Sequence, residues 1–245
     1  MNHSAPDGAA QPWILVNSTP ASCAQLGLSQ YFFHDRGKID LVVSGPNYGR
    51  NTTAVFALSS GTLGAALEAS VCGYKAIALS FAFFERNTAP DIVQEACKHS
   101  VKVCQHLRDR AEWGDGRLYS VNVPLKSGVS AARTLWTTML QNEWRKGACF
   151  TELPPSSAVD DAGSEEARLR RQESNDGEGT STPKLGQQWR HRHFKWAPRF
   201  TDVYEAVQTA GPGSDGWAVK EGETSVTAIK ANFAHAGPQE GEITL

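Results

Sequence analysis

The sequence predicts an α/β fold built on a mainly parallel sheet that helices cover. Strand-like and helix-like patterns alternate along the first half of the chain at the spacing that parallel sheets require. The strand-like runs are short and rich in Val, Ile and Leu, which suits the interior of a sheet. A late run with two-residue alternation predicts a further strand that pairs back onto the same domain.

The predicted elements of the first half follow from these local patterns. Residues 62–72 place Leu63, Ala66 and Val71 on one helical face, and Gly73 stands where a C-cap glycine is expected. In order, the predicted elements are a strand at 13–16, a helix at 20–28, a strand at 39–43, the helix at 62–72, a strand at 75–79, a helix at 91–113 and a strand at 118–123.

The second half of the chain carries weaker signals. The Thr and Trp content of residues 134–140 favours a strand, and a helix that continues to Arg145 is the alternative. Order resumes at residues 193–200, and residues 224–233 predict the late strand, in which Val226 and Ala228 share one face.

Composition suggests the domain organisation. Residues 154–186 contain few aliphatic side chains, too few to offset the entropy lost on ordering, and predict a disordered insertion that trypsin cuts first after Arg168, Arg170 or Arg171. The predicted divisions are a disordered N-terminus at 1–12, an α/β core at 13–153, the insertion at 154–186, the C-terminal part of the same domain at 187–236 and a tail at 237–245.

Charge and composition exclude several classes of protein. The net charge of −2 provides no basic field for a nucleic-acid polymer or an anionic lipid surface. The longest apolar run, residues 76–84, is interrupted by Ser80 and is far shorter than the roughly 20 residues of a membrane span. The N-terminus does not resemble a signal or transit peptide, so we expect a cytoplasmic protein. The five cysteines form no CxxC pair, so we expect reduced thiols rather than disulfides or a zinc site.

Two Gly-rich segments are the candidates for chemistry. Ser44, Gly45, Gly49 and Asn51 form a predicted loop after the strand at 39–43, and Asn47 in that loop offers an amide oxygen that could ligate a hard cation. The second segment lies just before the helix at 62–72, where hydroxyls and free N–H groups can accept a phosphate; its residues are Ser59, Ser60, Gly61 and Thr62.

The alternative for both segments is structural. Glycine and asparagine form tight turns, and Ser60 or Thr62 can simply cap the helix. Neither segment matches the GxxxxGK[ST] or GxGxxG nucleotide-binding motifs.

Six phrases of the chain carry a family resemblance: "TPASCAQLGL", "DLVVSGPNYGRN", "SSGTLGAALEA", "AIALS", "LYSVNVP" and "SVTAI". In this order and spacing they resemble the stationary-phase survival protein family of SurE-like phosphatases and nucleotidases. The resemblance covers residues 13–124 well and 194–233 loosely. The first two phrases look most like the fungal branch, which is sometimes joined to a tubulin tyrosine ligase-like domain.

The resemblance implies a Rossmann-like, three-layer α/β/α fold with a C-terminal β extension. It also implies a homodimer built by swapped C-terminal arms. The implied activity is hydrolysis of phosphomonoesters such as nucleoside 5′-monophosphates, with Mg²⁺ or Mn²⁺ as the cofactor.

The family pattern holds this metal with two aspartates of an "NDDG" loop, a serine of a later loop and the Asn of "SGxN". Only the last is present here, as Asn47, and the chain resembles a family member truncated at its N-terminus beyond both loops. Asp160 and Asp161 lie in the predicted insertion and receive no role. The catalytic residues therefore stay unassigned, and two functions stay open: a metal-dependent phosphatase, and a non-catalytic module that binds nucleotide or phosphate.

Overall fold

The structure is a computed structural model that describes residues 13–29, 37–83, 89–144, 149–153, 192–198 and 200–233. Its contacts divide the chain into two units, residues 1–143 with 203–245, and residues 144–202. The predicted disordered segments at 1–12 and 154–186 and the predicted tail at 237–245 lie outside the described residues. The domain boundaries drawn from the sequence therefore remain a prediction.

The larger unit contains a five-stranded sheet with helices on both faces. Its strands are β1 (Val42–Tyr48), β2 (Ala76–Ala82), β3 (Arg117–Pro124), β4 (Thr134–Thr137) and β7 (Thr224–Lys230), and their order in the sheet is β1-β2-β3-β7-β4. Strands β1, β2 and β3 are parallel, β7 runs antiparallel to β3, and β4 runs parallel to β7. The helices are α1 (Pro20–Leu28), α2 (Ala54–Leu58), α3 (Gly61–Val71), α4 (Pro90–Arg110), α5 (Thr201–Thr209) and α6 (Asp215–Lys220), and the first two residues of α5 fall in the smaller unit.

Two apolar clusters hold the layers together. On one face, small side chains of α3 such as Ala66 and Ala69 pack against Ala78 of β2, so this helix approaches the sheet closely. On the other face, Leu107 of α4 packs with Ile77 and other strand residues. Burying both faces explains why β2 is buried along its whole length and apolar except at Ser80, and it confirms the predicted three-layer, mainly parallel fold.

Several predicted elements are confirmed within a few residues. The helix at 20–28 is α1, and the patterns at 62–72, 75–79, 91–113 and 118–123 correspond to α3, β2, α4 and β3. Of the two alternatives for residues 134–140, the strand is confirmed as β4, and the late strand is β7. Helices α2, α5 and α6 were not predicted, because two of them have only five or six residues and too little periodicity.

The predicted strand at residues 13–16 is wrong. This segment has no regular structure, and Trp13 and Leu15 are 94% and 93% exposed. An apolar, β-branched composition favours a strand only where a neighbouring strand supplies hydrogen bonds and packing. Among the residues that the structure describes, none pairs with this segment.

The strand predicted at residues 39–43 is displaced along the chain. It begins at Val42 and continues to Tyr48, so Ser44, Gly45 and Asn47 lie inside β1 rather than in a loop after it. The register with β2 shifts between Ser44 and Asn47, where the Gly45–Pro46 peptide bond is cis. A Cβ atom on Gly45 would lie 2.2 Å from the Leu79 carbonyl oxygen, so only glycine fits this irregularity.

The smaller unit contains an antiparallel pair of strands, β5 (Phe150–Leu153) and β6 (His193–Trp196). Glu152 and Arg192 form an ion pair of 3.3 Å beside it. Throughout the described ranges, no helix is both long and apolar enough to cross a membrane.

Candidate functional site

A row of polar side chains crosses the sheet near the carboxyl ends of β1, β2 and β3. Asn47 pairs in register with Ser80, Ser80 with Asn122, and Asn122 with Ser225 of β7. Residues in register on neighbouring strands share a face. Ser80, Asn122 and Ser225 are buried, whereas Asn47 at the open end of the row is only half-buried. Ligands bind at this edge of parallel sheets, so the half-buried end of the row at Asn47 is a candidate binding site.

Asn51 joins three members of this row. Its side-chain Nδ2 donates to Ser80 Oγ at 2.7 Å and to Asn47 Oδ1 at 3.2 Å. Its backbone N–H donates to Asn122 Oδ1 at 2.8 Å. The two amides singled out in the sequence, Asn47 and Asn51, therefore lie in direct contact.

The turn after Asn51 has an uncommon backbone conformation. Thr53 has φ 72°, in the region that side chains other than glycine rarely adopt. Its N–H donates to Asp215 Oδ2 at 3.0 Å, and the Leu140 N–H donates to Asp215 Oδ1 at 2.9 Å. Burial raises the pKa of Asp215, and the hydrogen bonds from backbone N–H groups oppose that rise.

Arg50 adds a positive charge to the same segment. Its guanidinium lies 4.8 Å from the centre of the Tyr204 ring and 5.6 Å from that of Phe56, both cation–π distances. Burial lowers the pKa of Arg50, while Tyr204 opposes that change. Because arginine keeps its proton in proteins, the charge is present at neutral pH.

Helices α1 and α3 begin next to each other. A Cβ on Gly61, the first residue of α3, would lie 2.8 Å from Pro20 Cγ of α1. Thr19 caps α1 by accepting from the Ser22 N–H. Each helix start leaves backbone N–H groups without intrahelical partners and carries the positive end of a helix dipole. Because α3 follows β1 through α2, this pair of helix starts belongs to the carboxyl edge of the sheet.

The hydroxyl groups predicted to bind phosphate have structural partners. Ser60 Oγ accepts from the Leu63 N–H at 3.2 Å and so caps α3. Ser59 Oγ donates to the Val55 carbonyl at 3.0 Å. The capping alternative is therefore what the structure shows for Ser60, whereas Gly61 and Thr62 contribute the backbone N–H groups of the first turn of α3.

The residues at this edge do not form a metal site. In the part of the chain that the structure describes, no group of three or more His, Cys, Asp or Glu residues could hold a metal ion. Asn47 Oδ1 already accepts a hydrogen bond from Asn51. Mg²⁺ and Mn²⁺ favour carboxylate oxygens, so this donor set does not fit them.

Sequence reasoning missed several residues of the site, among them Ser80, Asn122 and Asp215. Ser80 and Asn122 interrupt apolar strands, and a polar residue at a position that must be buried was a usable signal. Asp215 carried no such signal, because it lies 162 residues from its partner Thr53 and opens a helix that was not predicted.

A comparison with protein-family models identifies the family to which this chain is similar. The family model described as "Survival protein SurE" matches residues 1–146, more than half of the chain. The chain belongs to the SurE family. The resemblance read from the sequence motifs is thereby confirmed.

Curated relatives include bacterial nucleotidases and a longer fungal protein. The "5'-nucleotidase SurE" of Ruegeria pomeroyi is 40% identical over 57% of this chain and 53% of its own length. The "Probable tubulin--tyrosine ligase PBY1" of Saccharomyces cerevisiae is 31% identical over 95% of this chain but only 29% of its own length, which fits the fungal-type branch. The chain thus spans about half the length of the bacterial relative and under a third of the fungal one.

A solved SurE structure supports the fold. The SurE protein from Aquifex aeolicus superposes with a TM-score of 0.55 and 21% identity, over 89% of this chain and 69% of that one. At this identity the likeness concerns the fold.

Proposed function

We propose that this SurE-family chain recognises the phosphate group of phosphomonoesters, with nucleoside 5′-monophosphates as the ligand class. The observation that carries the proposal is the meeting of Asn47 with Asn51 over a polar row, at the sheet edge where α1 and α3 begin. Amide and backbone N–H groups with an arginine form a donor set that suits phosphate. The nucleotidase names of the bacterial relatives support the same ligand class.

Each group has a distinct role in this proposal. Backbone N–H groups of Gly61 and Thr62 donate to the phosphate oxygens, aided by the positive end of the α3 dipole. Arg50 supplies charge to the dianion. Asn51 holds the Asn47 amide in place through the 3.2 Å hydrogen bond. Ser59 and Ser60 shape this turn through their capping bonds rather than by direct contact.

Hydrolysis is the activity that SurE membership predicts, and a divalent ion would supply the charge that polarises the phosphoryl group. The described donor set does not fit such an ion. Asn47 can act as a metal ligand here only together with carboxylates from outside the described residues. A homodimer stays a prediction from the resemblance, and a cytoplasmic location stays a prediction from the N-terminal sequence.

Binding without turnover is the second candidate function. The observation that favours it is the donor set itself, which contains amides and N–H groups, while the described ranges hold no group of three or more His, Cys, Asp or Glu residues that could bind a metal ion. Such a set positions an anion but leaves the charge that develops during phosphoryl transfer without stabilisation.

One pair of measurements separates the two candidates. Calorimetry with AMP and with inorganic phosphate tests binding, and phosphate release from AMP with Mn²⁺, with and without EDTA, tests hydrolysis. We expect Asn47→Ala to weaken binding about tenfold, the loss typical of one polar contact to a charged ligand. Gln94→Ala, which removes an exposed amide on α4, is the matched control and should bind like the unmodified chain.

The outcomes are distinct. Binding with EDTA-sensitive release supports the phosphatase, and binding without release supports the binding module. Absence of binding at millimolar phosphate and AMP contradicts the proposal, as does equal binding by Asn47→Ala.

A further inference from the structure

The Asp215 carboxylate is buried and joins segments that are remote in the sequence. It is 1% exposed and accepts hydrogen bonds from the N–H groups of Thr53, Leu140 and Gly216. The Ala54 N–H in turn donates to the Leu140 carbonyl at 2.9 Å, which closes a ring of bonds around the turn. A carboxylate taken out of water needs such donors, so its position is tightly determined.

The turn that is bonded to Asp215 contains Thr53, whose backbone conformation is strained. Thr53 has φ 72° and ψ 150°, and its buried Oγ1 has no hydrogen-bond partner among the described residues. A side chain in this conformation persists only where its surroundings hold it. The bond from the Thr53 N–H to the carboxylate is the contact suited to do so, because a charged acceptor strengthens the bond.

This turn is continuous with the Asn47–Asn51 pair. Asn51 lies two residues before Thr53, and its backbone is held from the other side by Asn122 at 2.8 Å. The segment 51–53 is thus fixed at both ends, by β3 and by α6, and its residues are all buried. The orientation of the Asn51 amide toward Asn47 therefore depends on the hydrogen bonds to Asn122 and to Asp215.

We propose that Asp215 is a positioning residue of the phosphate-recognition site, acting through Thr53 on Asn51. This inference rests on the proposed function. It makes the C-terminal segment part of the site, although the family match ends at residue 146. A purely structural residue would lower stability without changing the affinity of the folded protein. A positioning residue changes both.

The test uses Asp215→Asn, which keeps the shape but sets an amide N–H₂ against the Thr53 or the Leu140 N–H. Leu107→Ala is the control, because it destabilises the core on the other face of the sheet. Thr53→Gly supplies a second arm, since glycine adopts φ 72° without strain. The readouts are calorimetric affinity for inorganic phosphate and hydrogen exchange of the segment 47–58, both under conditions where each variant is folded.

We expect Asp215→Asn to bind phosphate about tenfold more weakly and to lose exchange protection in the segment 47–58. Leu107→Ala should do neither. In the Thr53→Gly background the same Asp215→Asn change should cost at most about threefold, because removing strain uncouples the two sites. If Asp215→Asn alone does not fold, the affinity of this double variant, compared with that of Thr53→Gly, still tests the proposal.

Affinity and protection of Asp215→Asn equal to those of Leu107→Ala would overturn the inference, as would an equal loss in both Thr53 backgrounds. If the unmodified chain binds no phosphate, the proposed recognition function fails instead. The exchange measurement then decides separately whether Asp215 holds the turn.

Discussion

His99 illustrates at the residue scale how burial in a sheet layer changes a side chain that looks ordinary in the sequence. It lies in α4, is buried, and its Nε2 is 3.0 Å from Thr224 Oγ1 of β7. Burial lowers the pKa of His99, Lys102 lowers it further, and Glu95 opposes the change. The ring is therefore held neutral as part of the packing between α4 and β7.

This histidine predicts a loss of stability in mild acid. Above its ordinary pKa of about 6.5 the ring is neutral in both states, and below it the unfolded chain gains a proton that the folded chain resists. The free energy of unfolding should fall as the pH drops through that window. Urea unfolding at about pH 7.5 and about pH 5.5 measures it. His99→Gln should show a smaller fall, and an equal fall in both proteins would contradict the assignment.

At the scale of elements, β1 differs from the strands beside it. Of the described strands only β2 pairs with it, and Val43 is 42% exposed, whereas Val121 of β3 is fully buried. Alternate residues of a parallel strand direct their backbone groups to opposite sides. Because the Val42 N–H donates to the Lys75 carbonyl, the backbone groups of Val43 point away from β2.

The contrast between these strands predicts unequal costs for the same substitution. Val43→Ala should change the free energy of unfolding by less than about 1 kcal/mol, because it removes little buried area. Val121→Ala should cost about 2 kcal/mol or more, through lost burial and a cavity. Chemical denaturation of both variants gives the comparison. Equal costs of the two substitutions would mean that the Val43 side chain is covered in solution.

At the scale of the molecule, β7 ties the end of the chain into the sheet. It lies between β3 and β4, and its residue Val226 is 3% exposed and packs in the cluster beneath α4. The strand comes from residues 224–230 but completes a layer begun by residues 42–48. The larger unit should therefore unfold as one cooperative body.

A charge placed in β7 tests this cooperativity. Val226→Asp should abolish the folded state of the whole larger unit. Burying an unpaired carboxylate, with the cavity and strain it creates, costs more free energy than the about 5–15 kcal/mol by which a typical domain is stable. Ala228→Asp, two residues along the same strand and exposed, is the matched control. Circular dichroism melting of both variants measures the effect. A Val226→Asp protein that retains half of its helical signal and melts in two steps would show independent parts.

Much of the fold was predictable from local patterns. The helices α1, α3 and α4 follow from apolar periodicity and their end signals, and β2 and β3 from buried apolar runs. The contact between Asn47 and Asn51 could also be predicted, because both residues lie in one short Gly-rich segment near a strand end. These features depend on interactions within about four residues, which the sequence displays directly.

Other features were decided only by tertiary structure. Residues 13–16 have the composition of a strand but no partner among the described residues, and β1 runs through the segment that looked like a loop. The polar row from Asn47 to Ser225 exists only in the register of four strands. Asp215 reaches Thr53 across 162 residues. Pairing, register and burial arise from packing between distant segments, and a local pattern carries no information about which segments meet.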